Sequence, residues 1–190
     1  MVVIGLFAVP GCEKKTTTHT DFTRADSLTE TYLALQDTML RVWNTMIHDD
    51  NRKIKAMHNL LHELRVSHPE KRDDLRAYEE RLNELVPKRY DQQSISDSEI
   101  ISEYDFASNA LVTELISLAE SQREFVYNTT LQKLVDSIRA ADQRVNNYRE
   151  EYDLIARHFN RFIERNRGTL EEIEEDSKLQ KKPLFQMAAE

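Results

Sequence analysis

Two histidines stand one helical turn apart in "HNLLH", His58 and His62, a spacing that puts both imidazoles on one face of a helix. Such a pair suits a divalent metal. It is not the zincin pattern, because Asn59 occupies the place of the catalytic glutamate, and the only nearby carboxylate is the adjacent Glu63. The pair therefore reads as a solvated polar face beside Met57 and Leu61, and no metal site is expected. The run "EEIEED" (Glu171–Asp176) gathers carboxylates of the kind Ca²⁺ takes. It has neither the glycine nor the alternating oxygen spacing of a calcium loop and reads as a solvated charged stretch. Nucleophilic catalysis finds little support. No nucleophile elbow occurs, and three glycines are too few for an oxyanion loop and a phosphate cradle. No catalytic residue, no cofactor and no enzymatic activity are expected.

Cys12 is the residue with the clearest chemistry. It is the only cysteine of 190 residues, which excludes an internal disulfide. It follows the apolar stretch "MVVIGLFAVPG" (residues 1–11), an h-region of signal-peptide length. The basic n-region of a signal is missing, so the true start is expected upstream of Met1. An apolar residue at −3 (Val9) and a small one at −1 (Gly11) suit a lipoprotein signal, in which the thiol takes a diacylglycerol. Residues 12–26 then read as the lipidated cysteine and a polar flexible tether that stands a domain off a bilayer. Acyl chains such as palmitate would anchor it durably, at ~0.8 kcal/mol per buried methylene. The expected place is a bacterial cell membrane or outer membrane, facing the periplasm or the exterior.

Composition constrains the elements that follow. Three Gly and four Pro are few breakers for 190 residues, which favours long helices over sheets. A hydrophobic content of 39% allows a core, while 32% charged residues and a mean hydropathy of -0.66 make it a thin one. The net charge of -8, with basic residues interleaved among acids, argues against a nucleic-acid partner.

Periodicity places four helices. The first is predicted from Ser27, where "SLTE" has capping-box spacing, to about residue 66. Its seam is Leu28, Tyr32, Leu35, Met39, Val42 and Met46, in heptad steps. "HDDNRK" (His48–Lys53) interrupts the apolar face, which resumes at Ile54, Met57, Leu61 and Leu64. Trp43, beside the seam, reads as core. Pro69 fits the first turn of a second helix carrying Leu75, Tyr78, Leu82 and Leu85, which stops near Pro87. Ser96 or Asp97 caps a third, with Ile100, Tyr104, Leu111, Leu115 and Leu118. The fourth has Leu131, Leu134, Ile138, Ala141, Val145, Tyr148, Tyr152, Ile155, Phe159 and Phe162, closed by Gly168 as a residue past the C-terminus. Asn146, Asn147 and Asn160 are candidates for register-fixing hydrogen bonds across helices. Residues 27–167 thus form a helical domain, and 168–190 a charged tail, mobile or loosely docked. The expected fold is all-α: an elongated antiparallel four-helix up-down bundle with long coiled-coil-like helices.

Two stretches resemble the LemA family of bacterial envelope proteins. In that family an asparagine follows a first-helix tryptophan by sixteen residues, within Pro-Asn-Leu-Val. Here Asn59, Leu60 and Leu61 follow Trp43 at that distance, with His58 in place of the proline. The family's last helix carries Arg-x-x-Tyr-Asn and then an aromatic-Asn pair. Arg149, Tyr152, Phe159 and Asn160 have that spacing, and Asp153 replaces the first asparagine. The closing "KKPLFQ" is similar to the family's Pro-aromatic signature, and Asp50 stands where an apolar residue is usual. The resemblance implies an elongated helical bundle and gives no catalytic residue to carry over. Members are commonly anchored by a transmembrane helix, whereas a lipid is expected here.

Together these features predict a lipid-anchored structural or interaction scaffold with unidentified envelope protein partners. A seam this regular would also serve a homo-oligomer. The alternative is a periplasmic client-binding or chaperone-like module, using an apolar surface near Tyr148–Phe162.

Overall fold

The computed structural model describes residues 23–173 and 179–185. The expected signal, Cys12, residues 12–22 of the expected tether and the second half of the acidic run lie outside the described residues, while the last four tether residues, 23–26, are not tether but the cap and first turn of a helix. Among the described residues the chain is all-helical, with four α-helices and no strand. They are α1 (Arg24–Ser67), α2 (Arg72–Leu85), α3 (Ser98–Glu120) and α4 (Thr129–Ile173). None of them is long and apolar enough to cross a membrane.

Local chemistry sets the ends. The cap of α1 is Thr23, one turn before the predicted Ser27. Thr23 Oγ1 accepts from Asp26 N at 3.2 Å, and the Asp26 carboxylate accepts from Thr23 N at 2.8 Å. This closes a capping box, and nothing between it and the seam breaks the helix. Pro69 opens a single 3-10 turn before α2, and Pro87 lies in another just after it. Asp97 caps α3 by accepting from Glu99 N and Ile100 N. Asn128 does the same for α4, accepting from Thr130 N and Leu131 N at 3.0 and 3.1 Å. Gly168 does not close α4, which runs on to Ile173. Leu170, buried, extends the apolar stripe by another turn, and packing outweighs the helix cost of one glycine.

The α1–α4 contact is the most extensive. The two helices run antiparallel, since Tyr32 meets Phe159, Trp43 meets Tyr152 and Asp49 meets Arg144. Arg81 of α2 meets Glu114 of α3, and Lys88, in the 3-10 turn that follows α2, meets Glu103 of α3, again in opposite senses. Leu60, Leu64, Leu82, Leu111, Leu115 and Ile138 are among the fully buried side chains of one continuous core, each contributing about 1.5–3 kcal/mol by leaving water.

The buried stripe on α4 differs from the predicted one by one residue in places. Val135, Ala156 and Ile163 are buried, while Leu134, Ile155 and Phe162 flank them, partly buried. A hydrophobicity pattern steps around polar residues, and here Arg149 and Asp142 lie on the stripe. The same effect corrects the reading of "HDDNRK". That segment does not interrupt the buried face of α1: Asp49 and Lys53 continue it, at 6% and 4% exposure, between Met46 and Met57.

Candidate functional site

These inward-facing charges form a network between α1, α3, α4 and the loop after α2. Asp50 is its hub. It accepts from Tyr104 Oη at 2.6 Å and pairs with Lys53 Nζ and Arg89 Nε, each at 3.2 Å. Lys53 also donates to Ser108 Oγ at 2.8 Å and lies 3.5 Å from Asp142 Oδ1. One turn away, Arg144 holds Asp49 with two hydrogen bonds, Nε to Oδ2 at 2.9 Å and Nη2 to Oδ1 at 2.7 Å. The carboxylates of Asp49, Asp50, Asp105 and Asp142 are each paired with one or more of Lys53, Arg89, Arg144 and Arg149. The set is therefore neutral, which is how Asp49, Asp50, Lys53 and Arg149 are tolerated away from water, while Arg144, Asp105 and Asp142 reach the solvent.

Arg149 is the most constrained member. Its Nη1 and Nη2 both donate to the Asp105 carboxylate at 2.7 Å, and Nη2 donates to Tyr90 Oη at 3.0 Å. Its guanidinium carbon lies 5.2 Å from the Tyr90 ring centroid and 5.3 Å from that of Phe185, within cation–π range. Arg149 Nε is buried with no hydrogen-bond partner among the described residues. Burial works against the Arg149 charge, but the bonds to Asp105 and Tyr90 carry its pKa above the ordinary arginine value. Burial and the Asp50 carboxylate likewise push the Tyr104 phenol up, so it remains a hydrogen-bond donor.

Beside the network the rings of Trp43, Tyr90 and Tyr152 form a cage. Phe185, seven-hundredths exposed, fills it, with centroids 6.3, 5.4 and 5.6 Å away. Phe185 belongs to residues 179–185, which return along α4 in the opposite direction. The segment was expected to be mobile or loosely docked; instead it is held at both backbone and side chains. Asn160 Nδ2 donates to Lys182 O at 2.9 Å, and Asn160 Oδ1 accepts from Lys182 N at 2.7 Å. Asp153 Oδ1 accepts from Phe185 N at 2.8 Å.

The predicted residues divide accordingly. Trp43, Leu60, Leu61, Tyr152 and Phe159 are core. Arg149 is buried in the charge network, where sequence spacing had placed it only as a motif residue. Asn160 makes its bonds to the returning backbone, not to another helix. Asn59 is exposed, as are Asn146 and Asn147. His58 is half-buried and His62 exposed, and among the described residues no group of three His, Cys, Asp or Glu converges as a metal would need. Asp49, Lys53, Tyr90, Asp105 and Asp142 were missed, and Asp50 and Asp153 were noted only as departures from the LemA pattern. One signal was available: continuing the 3-4 steps from Met46 through Asp49 and Lys53 to Met57 leads straight through the charges.

No family model, no curated protein and no solved structure matches this chain.

Proposed function

We propose that the chain is a non-enzymatic interaction scaffold: an elongated antiparallel up-down four-helix bundle, in a divergent lipoprotein form of the LemA type, held at a bacterial membrane through Cys12. The observation that carries this reading is the lone cysteine between an apolar leader-like stretch and a polar tether, placed just ahead of a helix of 44 residues. Opposed chain directions in the α1–α4 and α2–α3 pairs support the up-down arrangement. The inward charges are consumed in pairing one another, which supports an architectural role for them. The bundle would present its outer faces to envelope proteins.

The test is a crosslinked pull-down from membranes with the full-length precursor and its Cys12→Ala variant, alongside fractionation and palmitate labelling. Partners captured only with the intact cysteine mean an anchored scaffold. If Cys12→Ala stays in the membrane fraction and the wild type takes no label, the anchor is refuted.

Client binding is the second reading. The surface expected for it near Tyr148–Phe162 has Tyr152 and Phe159 buried; a groove of about 260 Å³ between α2 and α3, bordered by Phe106, which is 79% exposed, favours the reading instead. Failure to bind an apolar dye or to suppress client aggregation removes it.

A further inference from the structure

The returning segment is held in the way a receptor holds a peptide. Residues 179–185 form no helix and pair with no strand. The bonds from Lys182 N and O and from Phe185 N all go to side chains of α4. A carboxamide that both donates to and accepts from one residue's backbone reads an extended chain whatever its side chains. Asn160 does this at Lys182. Asp153, whose side chain is 1% exposed, reads a second backbone N–H three residues on. Its other bonded partner is Arg157, at 3.2 Å. A carboxylate this deep costs stability unless both of its oxygens are satisfied, and Asp153 divides them between the Arg157 guanidinium and the backbone N–H of Phe185.

Side-chain selection sits at both ends. The aromatic cage with Arg149 at its edge takes Phe185, and Pro183 enforces the extended backbone that feeds it. At the other end Lys181 pairs with Glu164, and Lys182 Nζ lies 5.8 Å from the Phe159 ring centroid.

We propose that this face of α1 and α4 is a peptide-binding site, occupied in cis by residues 179–185, and that its ligand in trans is an extended segment of another protein. That ligand carries a basic pair, a proline and an aromatic residue two positions after the proline. A second copy of this chain is the weaker occupant. Exchange between copies trades identical contacts and loses translational freedom, whereas a partner with a better-fitting segment gains. The cis segment competes at an effective concentration on the order of millimolar, so the wild-type site is largely closed.

The experiment uses the full chain and a labelled peptide, LQKKPLF, copying residues 179–185. Trp43 is the only tryptophan and stacks on Phe185, so its emission reports on the cage. The Phe185→Ala chain is expected to bind the peptide saturably, with Trp43 emission returning toward the wild-type value. Wild-type protein should bind about tenfold more weakly or less. A peptide ending in alanine should not bind, and Asn160→Ala added to Phe185→Ala should weaken binding. A second variant, Lys182→Pro, removes the N–H that Asn160 receives while keeping Phe185, and should open the site in the same way if Phe185→Ala does not fold. A helical, folded opened variant with no saturable binding overturns the proposal. So does a wild-type dimer that the peptide dissociates, because that result would give the site to a second copy.

Discussion

Replacing Asp50 by asparagine tests whether the inward charges work as a desolvated unit. The side chains of Asp50, Lys53 and Arg89 are 10%, 4% and 11% exposed, so the substitution leaves buried Lys53 and partly buried Arg89 without their shared carboxylate, Arg89 keeping only its bond to Asn51. Removing one member of a buried ion pair costs about 3–5 kcal/mol. Two features place Asp50→Asn at the lower end, about 3 kcal/mol. Lys53 keeps Ser108 and the more exposed Asp142, and an asparagine oxygen still accepts from Tyr104. The control is Arg81→Ala. Arg81 and Glu114 meet at 2.6 Å but are 43% and 41% exposed, and such surface pairs contribute about 0–1 kcal/mol. Urea unfolding followed by far-UV circular dichroism measures both as shifts of the midpoint at constant slope. Asp50→Asn combined with Lys53→Met should cost less than the two singles added, with a coupling of about 1 kcal/mol or more. If Asp50→Asn costs no more than Arg81→Ala, the network is hydrated and the reasoning fails.

Other consequences are as direct. Gly168→Ala should stabilise the protein by about 0.5–1 kcal/mol, because Gly168 lies inside α4 and an added Cβ meets nothing within 4 Å; a loss of stability would restore the helix-end reading. Leu60→Ala should cost about 2–5 kcal/mol at a fully buried position, while its exposed neighbour Asn59→Ala should stay within about 0.5 kcal/mol; equal effects in a melting comparison would mean that Asn59 packs. Burial pushes Tyr152 up to about 12, and burial also raises Tyr90 and, with help from Asp50, Tyr104. These phenols stay neutral in the fold while unfolded tyrosine ionises near its ordinary value of 10.0, so their stabilisation is complete below that pH and falls as pH rises through and above it. Phenolate absorbance should show part of the seven-tyrosine signal appearing only with loss of helix; full ionisation in a still-helical protein would contradict the burial.

Much of the fold was legible in the chain. Few breakers, heptad steps and a cap at Ser96 or Asp97 placed four helices close to where they lie, because amphipathic periodicity and capping are local properties of sequence. The ends misplaced were those where a neighbouring option was just as good locally. "SLTE" competes with Thr23–Asp26, and Gly168 ends a helix or continues it according to whether Leu170 finds a core.

The candidate site was far less legible. Trp43, Arg149, Tyr152 and Asn160 were singled out, but not what they touch. Asp50 and Lys53 share a run of sequence that reads as solvent-facing, and their partners Tyr104, Ser108 and Asp142 are more than fifty residues away in the chain. The sequence by itself determined helix number, approximate length and the lone cysteine's setting, since these depend on residue types and their spacing. Only the tertiary structure decided which charges turn inward, which register α4 presents and where residues 179–185 return. Asp50–Lys53 and Asp153–Arg157 pair within one helix, but the burial of these charges is completed by Tyr104, Ser108, Arg89 and the backbone N–H of Phe185, and no single stretch of chain contains that information.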